Sequence, residues 1–170
     1  KKKKTVYGLR PVELTHLHVR KTPKGEKYLW CSYEKRSGGG ITKPRRLEPL
    51  PIENTDWKLL ALLDAKLIEL PKLSAGGNGV AEQIRKYLER RKAWTSLKER
   101  VKARNEELGT YSFRHSYSVR GHKLGIDSGS MSSAMGHSLE VHSREYPWST
   151  NETTTNAFEK ARSYSLLNSP

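Results

Sequence analysis

The sequence predicts an α+β domain, mostly helical, with a small antiparallel β-sheet at one edge. Three observations predict it. An aromatic-rich run, KYLWCSYE at 27–34, is followed by the glycine cluster SGGG at 37–40 and by RRLEPLP, a short run ended by prolines, which is the pattern of strand, turn and strand. From Trp57 to Val101 the apolar residues instead recur at steps near three and four, the period of amphipathic helices. Gly109, Gly121, Gly125 and Gly129 then punctuate shorter helical pieces.

Each element has a local reason. In YGLRPVEL, Pro11 suits a helix N-terminus, where a missing N–H costs nothing, and Glu13 in the first turn complements the helix dipole, so a short helix is expected near Arg10. Residues 27–50 are expected to form a hairpin with a flexible glycine tip. Asn54, Thr55 and Asp56 offer a cap before Trp57, Leu59, Leu60, Leu63 and Leu67, a stripe broken by Pro71. AGGNG at 75–79 reads as a loop, and Val80, Ile84, Tyr87, Leu88, Trp94, Leu97 and Val101 form one long core-facing stripe. FEKARSYSLL reads as a last helix after the polar linker STNETTTN. No internal repeat is visible.

Composition bounds the function. A chain of 170 residues suits one main domain, and its apolar fraction of 34%, low for a globular protein, falls in periodic blocks as folding segments require. The formal charge of +14, from 32 Lys+Arg against 18 Asp+Glu, suits a polyanion, with nucleic acid the leading partner. No stretch approaches a transmembrane length, and the Lys1–Lys4 start lacks the apolar run of a signal peptide, so no membrane partner is expected. Cys31 is the sole cysteine, which excludes an intramolecular disulfide and a thiolate-rich zinc site and points to a reducing, intracellular setting. His16 and His18 in THLHV have no carboxylate cluster at ligand-like spacing, and no P-loop is present, so neither a metal nor a nucleotide cofactor is expected.

Three stretches remain: YGLRPVEL, YSFRHSYSVRG and MGHSLEVHSREY. Singly, each has an ordinary reading, with arginines on phosphates or on Glu13, histidines in the core, and tyrosines packed at a helix surface. Together, in this order, they resemble the catalytic domain of the tyrosine recombinases, the phage integrase family. That family is marked by an arginine in a G-L-R-x-x-E-L box, a lysine in a β-hairpin, an H-x-x-R-H box, an L-G-H box, and a tyrosine nine residues beyond the last histidine. Here the first box supplies Arg10, with Glu13 as its structural acid. Y111-S-F-R114-H115 supplies Arg114, with Tyr111 in place of the leading histidine. M135-G-H137 supplies His137, and nine residues on stands Tyr146. The hairpin lysine matches Lys35, before the glycine turn, with Lys43 after it as the alternative.

The resemblance implies that residues 1–150 form a recombinase catalytic domain, and that 151–170 form a linker and carboxy-terminal helix that either docks on a neighbouring protomer or packs on its own domain. Family members carry further helices and a core-binding domain before the first box, so a catalytic-domain fragment is expected, monomeric in isolation and tetrameric on double-stranded DNA. A prokaryotic or phage origin and a cytoplasmic, nucleoid-associated location follow from the same likeness. The chemistry fits the residue types. Attack on a phosphodiester builds charge on two non-bridging oxygens, which guanidinium groups hold through paired donors, so Arg10 and Arg114 fill that role and His137 adds a donor. Lys35 would protonate the leaving 5′ oxygen, and Tyr146 would give its proton to water, His115 or His142, since Tyr111 is a weak neutral base. Two other readings stand beside this one: a non-catalytic DNA-binding protein on the same fold, and a type IB topoisomerase-like enzyme that nicks and reseals.

Overall fold

The computed structural model describes residues 6–35, 41–53, 55–69, 72–73, 79–146 and 151–167. The architecture is α+β, with about half of the chain helical and one small sheet. After a 3-10 turn at Val12–Thr15 come strands β1 (Leu17–Lys21), β2 (Lys27–Cys31) and β3 (Arg45–Arg46). Seven helices follow among the described residues: α1 (Leu59–Asp64), α2 (Gly79–Glu89), α3 (Lys92–Lys102), α4 (Ser112–Lys123), α5 (Ser128–Met135), α6 (Leu139–Glu145) and α7 (Asn151–Leu167). No helix among the described residues is long and apolar enough to cross a membrane.

The sheet is antiparallel in the order β1-β2-β3, with Leu17 opposite Cys31 and Cys31 opposite Arg45. Alternation along the strands puts Leu17, Leu29, Cys31 and Arg45 on the inward face. Trp30 and Tyr28 turn outward, where Arg20 lies over the Trp30 ring at 4.4 Å and Arg46 over Tyr28 at 5.1 Å. The expected hairpin of 27–50 is therefore only part of the sheet. Strand β1 adds to it, through a turn at Thr22–Gly25 that Pro23 opens and that Gly25 closes with a φ of 85°. The second arm is short, two residues of β3 and a separate Lys35–Thr42 bridge, and the glycine tip at 37–40 lies outside the described residues.

The helices differ from expectation in four places. The short helix near Arg10 is a single 3-10 turn that starts at Val12. Helix α1 begins at Leu59 rather than at an Asn54–Asp56 cap: the Asp56 carboxylate accepts from Lys58 N at 2.9 Å, and Lys58 itself is left-handed with a φ of 45°. It ends at Asp64, and Leu67, which follows left-handed Lys66 (φ 56°), is 72% exposed. Asn54 and Pro71 lie outside the described residues. The long stripe from Val80 to Val101 is two helices, because Arg91 is extended (φ −109°, ψ 114°) and redirects α3 so that Trp94 is buried with its ring 5.5 Å from that of Phe113. Tertiary packing there overrides a period that would suit one helix. Finally, residues 151–156 of the expected linker are the first turns of α7.

Among the described residues, two apolar clusters make the core. Val6, Tyr7, Leu9, Leu14, Leu17, Leu29, Cys31, Leu47 and Leu59 pack beneath the sheet. Leu50, Tyr117, Met131, Met135 and Tyr146 join α4, α5 and the end of α6. Tyr117 links them to β3's loop by donating to the Glu48 carbonyl at 2.8 Å. Arg10, Glu13, Arg45 and Arg114 lie between the sheet and the second cluster.

Candidate functional site

Glu13 is fully buried, and three guanidinium groups face it. Its carboxylate accepts from the Arg10 backbone N–H at 2.8 Å and from Arg10 Nη1 at 2.8 Å, a closure set by the three-residue spacing of the 3-10 turn. Arg45 Nη1 donates to it at 2.9 Å, and Arg114 Nη1 lies 3.9 Å away. Burial alone would raise the Glu13 carboxyl, but Arg45, Arg114 and Arg10 outweigh it and hold it below the usual carboxylate value. Burial pushes the Arg114 guanidinium down to about 10, helped by Arg10, so it stays charged near neutrality.

The same arginines close the C-terminal end of α5. A helix leaves its last carbonyls without partners, and its dipole makes that end negative. Here Arg45 Nε donates to Ala134 O at 2.8 Å, Arg114 Nη2 to Met135 O at 2.6 Å, and Arg10 Nη2 to Gly136 O at 2.9 Å. Thr42 Oγ1 donates to Gly136 O at 3.0 Å and so ties the hairpin to the same turn. Arg114 Nη1 reaches back to Gly8 O at 2.7 Å. Arg45 Nη2 is buried and has no hydrogen-bond partner among the described residues.

Gly136 ends α5 in the left-handed conformation (φ 69°, ψ 53°), and the bonds Gly136 N to Ser133 O and His137 N to Ser132 O complete a Schellman stop. Ser138 then caps α6, its Oγ accepting from Val141 N at 3.2 Å. His137 is thereby fixed between a helix stop and a helix start. Helix α6 is short, and Tyr146 at its end folds back over the site. The Tyr146 ring lies 4.9 Å from that of His142, 5.4 Å from His115 and 6.0 Å from His137. Burial raises its phenol above the ordinary value, against the attraction and hydrogen bond of Arg114.

The structure thus brings Arg10, Arg114, His137 and Tyr146 together. It does not bring Tyr111 into contact with Tyr146 among the described residues: Tyr111 precedes α4, is 49% exposed, and meets His115, whose ring stands between the two phenols. Lys35 is exposed at the root of the hairpin, its backbone paired with Thr42, and its amino group has no hydrogen bond or ion pair to the cluster among the described residues. Lys43 is exposed one residue beyond Thr42.

Sequence reasoning missed Arg45, Thr42 and His122. Arg45 had a legible signal: it stands two residues before buried Leu47, so strand alternation turns it inward and Arg46 outward. His122 joins a chain of imidazoles. His137 Nε2 lies 3.0 Å from His142 Nδ1, and His142 Nε2 lies 2.9 Å from His122 Nε2. Burial, with Arg114 and His142 next in importance, pushes His137 down to about 3; burial and then His122 and Arg114 push His142 down to about 4. All three rings are therefore neutral near pH 7, His122 also being lowered by burial. Among the described residues no set of three His, Cys, Asp or Glu is arranged to hold a metal ion. No family model, curated protein or solved structure matches this chain.

Proposed function

We propose that the chain is the catalytic domain of a DNA strand transferase of the tyrosine recombinase kind, a site-specific recombinase or integrase acting on double-stranded DNA. The observation that carries this reading is the convergence of Arg10, Arg114, His137 and Tyr146, from distant parts of the chain, around the Met135–Gly136 turn. Arg45 Nη2, buried and without a hydrogen-bond partner among the described residues, supports an anionic occupant beside that turn. In the proposed reaction Tyr146 Oη bonds to phosphorus as the bond to the 5′ oxygen breaks. The phenol proton passes to a base, and the leaving oxygen takes one from Lys35 or Lys43. Arg10, Arg114 and His137 stabilise the charge on the non-bridging oxygens. The 3′-phosphotyrosyl bond keeps the energy of the broken phosphodiester, and attack by a 5′ hydroxyl reverses the step.

One observation favours a second reading. Tyr146 is only 6% exposed and its phenol is raised by burial, which suits a DNA-binding protein that does not cut. A suicide substrate, in which a nick lets the released strand diffuse away, separates the two. The strand-transfer reading expects a covalent adduct with the parent chain and none with Tyr146→Phe, while both bind DNA alike. DNA binding without any adduct from the parent chain selects the second reading. An adduct accompanied by relaxation of supercoils but no pairing of two sites selects a topoisomerase-like enzyme.

A further inference from the structure

The contacts along the chain of three imidazoles admit two arrangements of protons, one the reverse of the other, and the backbone beside His122 selects one of them at rest. His122 at the end of α4 is half-buried, and the Ile126 backbone takes a hydrogen bond from it. Since its Nε2 faces His142, the proton on neutral His122 sits on Nδ1, and Nε2 is an acceptor. His142 must then carry its proton on Nε2 and accept at Nδ1. His137 in turn must donate from Nε2, which leaves a lone pair on Nδ1, the ring nitrogen that does not face His142.

We propose that His122, His142 and His137 act as a coupled tautomer switch, in which a proton gained by the chain comes to rest on His122 and turns His137 Nδ1 from an acceptor into a donor. The protons balance at each link. A proton arriving at His137 Nδ1 is matched by transfer of the Nε2 proton to His142 Nδ1, and of the His142 Nε2 proton to His122 Nε2. His122 becomes the imidazolium, while His137 and His142 stay neutral with reversed tautomers. A proton from solvent reaches His122 by the same relay, entering at His137 Nδ1, because His122 Nδ1 already bears hydrogen and its Nε2 faces His142.

Electrostatics select the end point. His137 faces Arg10, Arg45, Arg114, His142 and Tyr146, and fully buried His142 faces Arg114, Tyr146 and both other imidazoles, so positive charge is opposed at each. His122 faces His142 from α6 and Asp127 at the start of α5, and Asp127 favours its charged form. Lys160 of α7 approaches the same link at Gly125. Among the described residues His122 is thus the one ring of the three with a carboxylate neighbour, and it is only half-buried. The catalytic use of the switch rests on the strand-transfer reading: the proton that Tyr146 gives up would enter at His137 Nδ1, and the resulting N–H would face the phosphate as its charge peaks. His122 and His142 are positioning residues in that scheme. The switch itself does not depend on DNA.

The test is ¹⁵N NMR of histidine-labelled protein without DNA. Near pH 7 the expected pattern is Nε2–H on His137 and His142 and Nδ1–H on His122, with couplings across both N–H···N bonds. On acidification, His122 should become the imidazolium, and the protonated and unprotonated nitrogens of His137 and His142 should exchange in the same step. In His122→Ala, whose altered ring is half-buried, that exchange should vanish, whereas His115→Ala should leave it intact. Direct protonation of His137 while His122 stays neutral would overturn the switch, as would titration of His122 with no change at His137. Failure of the suicide-substrate experiment would remove the catalytic use and leave this result standing.

Discussion

Arg45 lies against Gly136 so closely that no side chain fits between them: a Cβ on Gly136 would stand 2.6 Å from Arg45 Nη1 and 2.7 Å from its Cζ. Gly136 also has a φ of 69°, a conformation that L-residues adopt at a cost. Gly136→Ala is therefore expected to destabilise the fold by roughly 1–3 kcal/mol, and to displace the Arg45 guanidinium from Glu13 and Ala134. Urea unfolding measures the first effect, and loss of adduct formation under conditions where the variant is still folded measures the second. A variant as stable and active as the parent would show that the turn tolerates the shift.

Glu13 neutralises part of a site that otherwise holds three buried or half-buried cations. Glu13→Gln keeps the shape and removes the charge, and breaking a buried pair from one side costs about 3–5 kcal/mol. The parent carboxyl lies below 4.5 when folded, so its contribution is complete above that pH and is lost as the pH falls through the folded value. Chemical denaturation of both proteins between pH 6 and 3 should show the gap narrowing as acid protonates the parent. A constant gap would mean that packing, not charge, is what Glu13 supplies.

The imidazole chain gives a second acid sensitivity at higher pH. His137 and His142 resist protonation when folded, with values of about 3 and about 4, and bind protons near 6.5 when unfolded. Between those limits the unfolded chain holds more protons, so stability should fall as the pH drops below about 6.5, before Glu13 begins to titrate. Replacing His142 by Gln, which cannot take up a proton, should flatten the slope between pH 6.5 and 4.5. An unchanged slope would assign the loss to other groups.

DNA affinity should fall steeply with salt. With a net charge of +14, a surface that neutralises roughly six phosphates loses on the order of a thousandfold between about 50 and 200 mM salt. A flat response in a fluorescence-anisotropy titration would point to a protein ligand instead.

How far the sequence was legible depended on whether the deciding force was local. The α+β composition, the β2–β3 arms and the helical stripes follow from side-chain period and turn chemistry, which act over a few residues. Strand β1 escaped because LHVRK is mostly exposed and lacks the aromatic signature of KYLWC, although the Thr22–Gly25 turn beside it carried a usable signal. The break at Arg91 has no glycine or proline to mark it and is imposed by the burial of Trp94. In the site, it was the resemblance, not spacing by itself, that singled out His137 and Tyr146, which one short helix joins and whose rings lie 6.0 Å apart. Lys35 and Tyr111 carried the expected residue order, yet among the described residues neither side chain makes a hydrogen bond or ion pair to the arginine cluster; Tyr111 meets it only through its carbonyl, which accepts from Arg114 N at 2.8 Å. His122 was illegible for the opposite reason: its role exists only through His142, which a third helix brings to it.

The bond from Arg10 to Gly136 joins residues 126 positions apart, and that separation has a kinetic consequence. Closing a loop of this length costs about 4 kcal/mol in chain entropy, before any contact within it contributes. A chain emerging from the ribosome exposes Arg10 long before the carbonyls that hold it have been synthesised. The arginine cluster therefore forms late, after β1 and β2 have paired locally, and an interrupted chain carries a basic sheet without an assembled centre.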